Sequence, residues 1–555
     1  MKKLLIFLIC ILICSNAYAK LPWDKYSYFS NYGGLNDNLS KLEIADNEAT
    51  SIQNVVFDTG GAISKRYGYQ NITSPGAAYA VVAGSSAITG IYYYKQYGGN
   101  NYIVACANVS SQLECFQKQY DASNNIPVGS WTRIDGGNLP TTYNNNQYVT
   151  FSQANNVLVI TPQASNVTNP WAWQATGNIY TLTNSANVTP STISVFHKNI
   201  LFISGDPNNP SRVRYSDLTN GITVFNATDF FDLDKNNGQK VTALVSAYGN
   251  LYIFEDNSIW MLTGSSNADF SLQKMVDNVG TLSQQSISVI NGHIFFVTKQ
   301  NDIAIYDGNY SVQFLSSKIR NTIGGNNFNR ASTAIGLGFS SYKYKDLDYY
   351  VAESLVGTNQ NNSVLLYDTY RSAWTVFSGI TPNAWAVVDS SNGQNIMIFG
   401  DNKGLIYFYP NIGTYHDVSN TCDVNNVCTT TSGSIYSFYQ TKWFRYSDAA
   451  LGNKYLRLLK TYISNSTLAS YLTTTVKSDY SNSGNVYTYT FNPSGALWGV
   501  AKWGVDMWTG GGLNIDREEP NLGTQMFQIL YSNNIVDQDM TILGWELFIE
   551  PTDTI

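Results

Sequence analysis

Between residues 85 and 410 the chain repeats short runs in which apolar and polar positions alternate with a period of two, each run ended by Gly, Asn or Asp. Residues 241–246, 250–254 and 258–262 form one such triplet, and 286–290, 293–297 and 302–308 form the next. Alternation over four to eight residues between turn formers marks half-buried strands joined as hairpins. Further units lie at 91–116, 148–160, 193–215, 334–377 and 384–409. Strand groups recurring at roughly forty to fifty residues are what four-stranded propeller blades require. The pattern therefore predicts a β-propeller of six or seven blades over 85–410. A pair of stacked sandwiches would fit the composition but not the repeated triplets.

After Pro410 the pattern changes. A polar segment, 411–440, holds two cysteines and a Ser/Thr run, and longer alternating runs at 454–463, 523–531 and 541–549 follow. These predict a C-terminal β-sandwich over 441–555. Residues 20–84 read as an extended and hairpin segment, with Val55, Phe57 and Ile63 as strand anchors around a Gly60-Gly61 turn.

Composition supports an all-β fold. The 555 residues include 40 Tyr, 25 Phe and 12 Trp but only 13% charged residues, a balance that favours strands and tight turns over long solvated helices. This length exceeds what one core usually serves, so more than one unit is expected. The first nineteen residues read as a secretory signal: Lys2 and Lys3, an apolar run from Leu4 to Cys14, then Ala17-Tyr18-Ala19 as a cleavage pattern. Losing Lys2 and Lys3 would take the formal charge from −7 to −9. An acidic chain argues against general nucleic-acid binding, which depends on Lys and Arg displacing counterions.

Export would place the remaining cysteines in an oxidising compartment. Cys106 and Cys115 flank a hairpin and Cys422 and Cys428 bracket a polar loop, so both pairs are candidate disulfides. Neither pair has metal-ligand spacing, and His197, His293 and His416 are scattered, so no metal or cofactor is expected.

Catalytic motifs are missing. No nucleophile elbow, phosphate loop or zinc helix can be read. Asp516, Arg517, Glu518 and Glu519 are the densest charge cluster, but neighbouring strand residues point to opposite faces and cannot share one scissile bond. Asp229, Asp232 and Asp234 read as a polar blade loop in preference to a cation site. Among the C-terminal tryptophans, Trp545 lies in an alternating run and is assigned to the core. Trp503 and Trp508, beside the Gly510-Gly511-Gly512 loop, are the candidates for exposure.

One ordered set of fragments carries a resemblance. Gly33-Gly34-Leu35-Asn36 is followed by Glu48-Ala49-Thr50-Ser51-Ile52-Gln53-Asn54, then Gly60-Gly61-Ala62-Ile63-Ser64-Lys65-Arg66-Tyr67-Gly68. Lys240-Val241-Thr242-Ala243-Leu244, Asn291-Gly292-His293-Ile294-Phe295-Phe296, Ile305-Tyr306-Asp307-Gly308 and Phe399-Gly400-Asp401 come next, and Lys454-Tyr455-Leu456-Arg457-Leu458-Leu459 lies near the end. Their order resembles bacteriophage tail nozzle and hub proteins, the packaged-DNA stabilisation components below the portal. Gly33, Gly34, Gly60, Gly61, Arg66 and Gly68 are the family-like turn residues.

That resemblance implies a non-enzymatic virion protein. Its subunits would form a ring, commonly a hexamer, contacting portal and adaptor proteins and tail fibres or spikes. Double-stranded DNA would pass through without specific binding. For such a virion protein the signal sequence implies export to the periplasm or association with a membrane before assembly, and it favours the alternative: an exported β-propeller with a C-terminal sandwich that binds a glycan or another surface protein outside the cytoplasm. A secreted glycosidase ranks third, since no acidic constellation supports it.

Overall fold

The computed structural model describes residues 23–551 apart from 30–31, 73–85, 138, 141, 146, 164–167, 183–186, 219–221, 236, 325–333, 341–345, 356–357, 359–360, 392, 394, 423–427, 446–453, 465–469 and 492–513. Among these residues the only α-helix is one turn, Arg320–Ile323; nearly everything else regular is strand.

Among the described residues seven four-strand antiparallel units form a β-propeller, all but the last being meanders of consecutive strands. Six are separate sheets, and the seventh, Ile335–Phe339 to Ala373–Phe377, is one end of a ten-stranded sheet. In chain order the first strand of each lies towards the axis: Ile88–Lys95, Val149–Ala154, Ile193–His197, Val241–Ala247, Ser288–Ile290, Ile335–Phe339 and Ala384–Val388. Between the fourth and fifth sits the 3-10 turn Gln284–Ser286.

Turn chemistry sets the blade hairpins. The pairs Lys198-Asn199, Tyr248-Gly249 and Asn291-Gly292 each carry positive φ at both residues, between 47° and 85°. That is the geometry of two-residue hairpins matching the strand twist. Alternation then gives every blade two apolar faces, and each face meets its neighbour. Cys106, Leu158 and Trp173 fill the first junction, Val159, Leu201 and Phe225 the second, and Phe202, Leu244 and Ile253 the third. Phe254 and Phe296 fill the fourth, Phe295 and Tyr349 the fifth, Phe339 and Phe399 the sixth, and Ile103 and Ile398 close the ring.

Closure uses a strand from far upstream. Gly68–Asn71 pairs antiparallel with Ile406–Asn411 and supplies the outer strand of the last blade. The ring therefore reaches outside the expected 85–410 span. Strand runs can be read locally, but the partner of an edge strand is set by backbone hydrogen bonds between distant segments.

The strands after 437 likewise do not pair only among themselves. Ser437–Thr441, Phe527–Asn533, Ser470–Ser478 and Gly484–Phe491 extend the ten-stranded sheet through Gly34–Leu35 and Glu48–Gln53 to the sixth blade. Lys454–Ile463, Asn514–Glu518 and Thr541–Pro551 lie in a seven-stranded sheet with Asp24–Phe29, Val55–Phe57 and Ile63–Lys65. Leu456, Ile529, Ile542 and Trp545 belong to the same core cluster as Phe295 and Trp374 of the propeller. Trp545 is fully buried, its ring 5.5 Å from those of Tyr32 and Tyr531.

Cys106 and Cys115 face each other across the second and third strands of the first blade and are disulfide-bonded, with Cα atoms 4.1 Å apart. Closing so short a loop still restricts the unfolded chain. Replacing both cysteines by serine is expected to cost about 2 kcal/mol, measured as a lowered urea midpoint in the oxidised protein.

Candidate functional site

The turn motif at 33–68 is a structural joint. Gly34, at φ +73°, lies against Trp374, where any Cβ would meet that residue's backbone N and O at 2.6 Å. Gly68 passes closer still: a Cβ there would sit 1.7 Å from the His416 carbonyl oxygen. Gly33 abuts the Glu48 side chain, and Gly60 and Gly61 form the tip of the hairpin joining Val55–Phe57 to Ile63–Lys65. Arg66 is fully buried. Its Nε donates to Asn54 Oδ1 at 2.9 Å, and its two terminal nitrogens donate to the Tyr67 and Ser378 carbonyls and to both oxygens of Asp417 at 2.8 and 2.6 Å. One guanidinium thus uses all five N–H groups to fasten the N-terminal segment, the end of the sixth blade and the strand His416–Cys422.

Other sequence candidates separate. The backbones of Cys422 and Cys428 stand opposite each other in a two-stranded hairpin, and their side chains lie outside the described residues. Trp503 and Trp508 also lie outside them. Asp232 is neutralised by Arg212 and Lys235, while Asp229 accepts hydrogen bonds from Asn226. His197 is buried against Ser246, and burial pulls its imidazole down to about 4. In the sequence Glu518 reads as one member of a run of adjacent charges. The interacting pair is instead Asp516 and Glu518, two apart on one strand face. Burial pushes Asp516 up to about 6; burial and then Asp516 push Glu518 up to about 7.

The geometry of a binding site appears on the propeller axis. A cavity of about 200 Å³ is lined by inner-strand residues of four blades, including Tyr92, Phe151, Leu337 and Trp385, and by Gln284 and Gln285 from the 3-10 turn. Among the described residues no charged one lines it. Tyr92 stacks on Phe151 with ring centres 5.6 Å apart, and burial pushes its phenol up to about 12, so it stays neutral. Trp385 is held by a hydrogen bond from its Nε1 to the Gly336 carbonyl at 3.1 Å. Gln284 clasps the Leu244 backbone, accepting from its N–H at 2.7 Å and donating to its carbonyl at 3.1 Å.

Two lining amides are different. Gln285 Nε2 and Asn383 Nδ2 are buried donors with no acceptor. A buried amide without a partner costs about 1–3 kcal/mol, so each of these two lining residues would gain from an acceptor brought within its reach. No single stretch of sequence signals it, because its residues come from strands separated by up to about three hundred positions and meet only when the ring closes.

No known protein family matches the chain, and no curated protein matches its sequence. Similar solved structures include virginiamycin B lyase from Staphylococcus aureus at 13% identity, covering 61% of this chain and 97% of that one with a TM-score of 0.38. YCF48 from Cyanidioschyzon merolae is similar at 10% identity, with 61% and 98% coverage and a TM-score of 0.37. The Pan2 WD40 domain of Neurospora crassa follows at 9% identity, with 58% and 88% coverage and a TM-score of 0.34. At such scores these likenesses carry no argument about function, and the propeller stands on its own sheet topology.

Proposed function

We propose that this chain is a non-catalytic β-propeller binding protein that takes a neutral segment of a partner protein into its axial cavity. The observation that carries this reading is the uncharged, aromatic-walled cavity in which Gln285 Nε2 and Asn383 Nδ2 lack acceptors. A charged guest would lose its hydration with no counter-charge in return. A peptide segment offers carbonyl oxygens to the two amides and side chains to Tyr92, Phe151 and Trp385. Cross-linking from a photoreactive residue placed at Leu337 tests this. A single dominant protein adduct is expected, weakened about tenfold in Asn383→Asp, which replaces a needed donor by an acceptor. Adducts unaffected by that substitution would remove the reading.

The tail-nozzle role remains a second proposal, supported by the sequence fragments alone. Several of them occupy joints of the fold, such as Gly34 on Trp374 and Arg66 on Asp417, so a shared architecture accounts for the likeness without a shared role. Mass spectrometry of purified phage particles decides it: a virion protein would be present at a fixed copy number, and absence ends the proposal.

A further inference from the structure

A second concave site lies on the seven-stranded sheet, away from the propeller axis. The strand Lys454–Ile463 is irregular on both sides at one place. Towards Thr541–Pro551 it bulges between Leu456 and Leu458. On the other side its pairing passes from Asn514–Glu518 to Leu522–Thr524, leaving Glu519 to Asn521 out of the ladder. Bulges re-aim a side chain and are frequent beside functional sites. Here Arg457 occupies the bulge, and a cavity of about 360 Å³ opens beside it, lined by Trp23, Arg457, Leu458, Glu519, Asn521 and Glu550.

The groups are held in place. The Arg457 guanidinium donates from Nε to Glu550 Oε2 and at 3.1 Å to Asn521 Oδ1, and it lies 4.5 Å from the centre of the Tyr455 ring. Trp23 is 37% exposed at the rim, a large aromatic surface left to solvent. Glu519 is exposed.

Charge selects the ligand class. Arg457 and Glu550 neutralise each other, so an anion would meet the carboxylate of Glu519, and a cation would find only that one exposed, water-screened charge. A purely apolar guest would cover the Glu519 carboxylate and the remaining N–H groups of Arg457 and Asn521. A neutral molecule with one apolar face and a rim of hydroxyls satisfies all of them: its C–H face covers an indole, and its hydroxyls donate to carboxylates and accept from Arg457 and Asn521. We propose that this cavity is a subsite for a neutral pyranose sugar, stacked on Trp23 and hydrogen-bonded by Glu519, Asn521 and Arg457. The proposal is independent of what enters the axial cavity.

The test uses the full chain on an array of neutral, anionic and cationic glycans, followed by titration of the best neutral disaccharide with tryptophan fluorescence as readout. Binding of a neutral glycan is expected, weakened at least tenfold in Trp23→Ala and in Glu519→Gln, while cross-linking from Leu337 in the axial cavity is unchanged. Both substitutions are at solvent-facing positions, and an unchanged thermal midpoint verifies the fold. No neutral glycan bound, a preference for charged glycans, or binding that survives Trp23→Ala would each overturn it.

Discussion

Replacing Arg66 by alanine is expected to destabilise the protein by about 3–5 kcal/mol, the largest loss from any single side chain considered. The cost comes from what is left behind. Asp417 loses the cation it is directly paired with, and Asn54 Oδ1 and the Tyr67 and Ser378 carbonyls lose donors in an interior where water does not replace them. Arg66→Lys should rescue little, because an ammonium cannot reproduce a planar five-donor fork. By contrast, Arg66→Met with Asp417→Leu removes both charges together and should recover much of the loss. Equilibrium urea unfolding of the three variants measures this, and a single-substitution loss below about 1 kcal/mol would show that the joint is not held by this pair.

The second large effect is pH-dependent. Glu353 is fully buried at the end of a sixth-blade strand, and among the described residues neither carboxylate oxygen has a hydrogen bond of full geometry, the Asn301 amide being a polar neighbour. Burial pushes its carboxyl up to about 8, although the nearby Asn301 amide works the other way. The native protein therefore keeps a proton that the unfolded chain releases above its ordinary value of 4.5. Between those two values the unfolded state binds fewer protons, so stability falls as pH rises; the contribution is fully present below the lower value and lost above the upper one. A shift of this size corresponds to a swing on the order of 5 kcal/mol. Asp516 and Glu518 act in the same direction at lower pH, so the effect is read as the difference between wild type and Glu353→Gln. The variant should be more stable than wild type at pH 8.5 and near it at pH 4.5. Parallel stability curves for the two proteins across that range would refute the assignment.

Legibility differed by kind of feature. The triplets at 241–262 and 286–308 are blades four and five in the structure, because both strand periodicity and hairpin turns are written within a few neighbouring residues. Cys106 and Cys115 were readable for the same reason, being nine residues apart on one hairpin. Gly34, Arg66 and Gly68 stood out as a motif, but their work did not: each acts on a segment more than three hundred residues away, at Trp374, Asp417 and His416. Glu353 gave no signal at all, since an acid in an alternating strand reads as solvent-facing until a neighbouring blade covers it.

The sequence by itself determined that this chain is all-β, that its middle is a ring of repeated meanders, and where its hairpins turn, because alternation and turn propensity are local properties. Only the tertiary structure decided that residues 68–71 close the ring, that N-terminal and C-terminal strands share two sheets, and that Gln285 and Asn383, each with an unpaired amide nitrogen, line one axial cavity. Those outcomes depend on which distant backbones find one another and which polar groups are covered when they do.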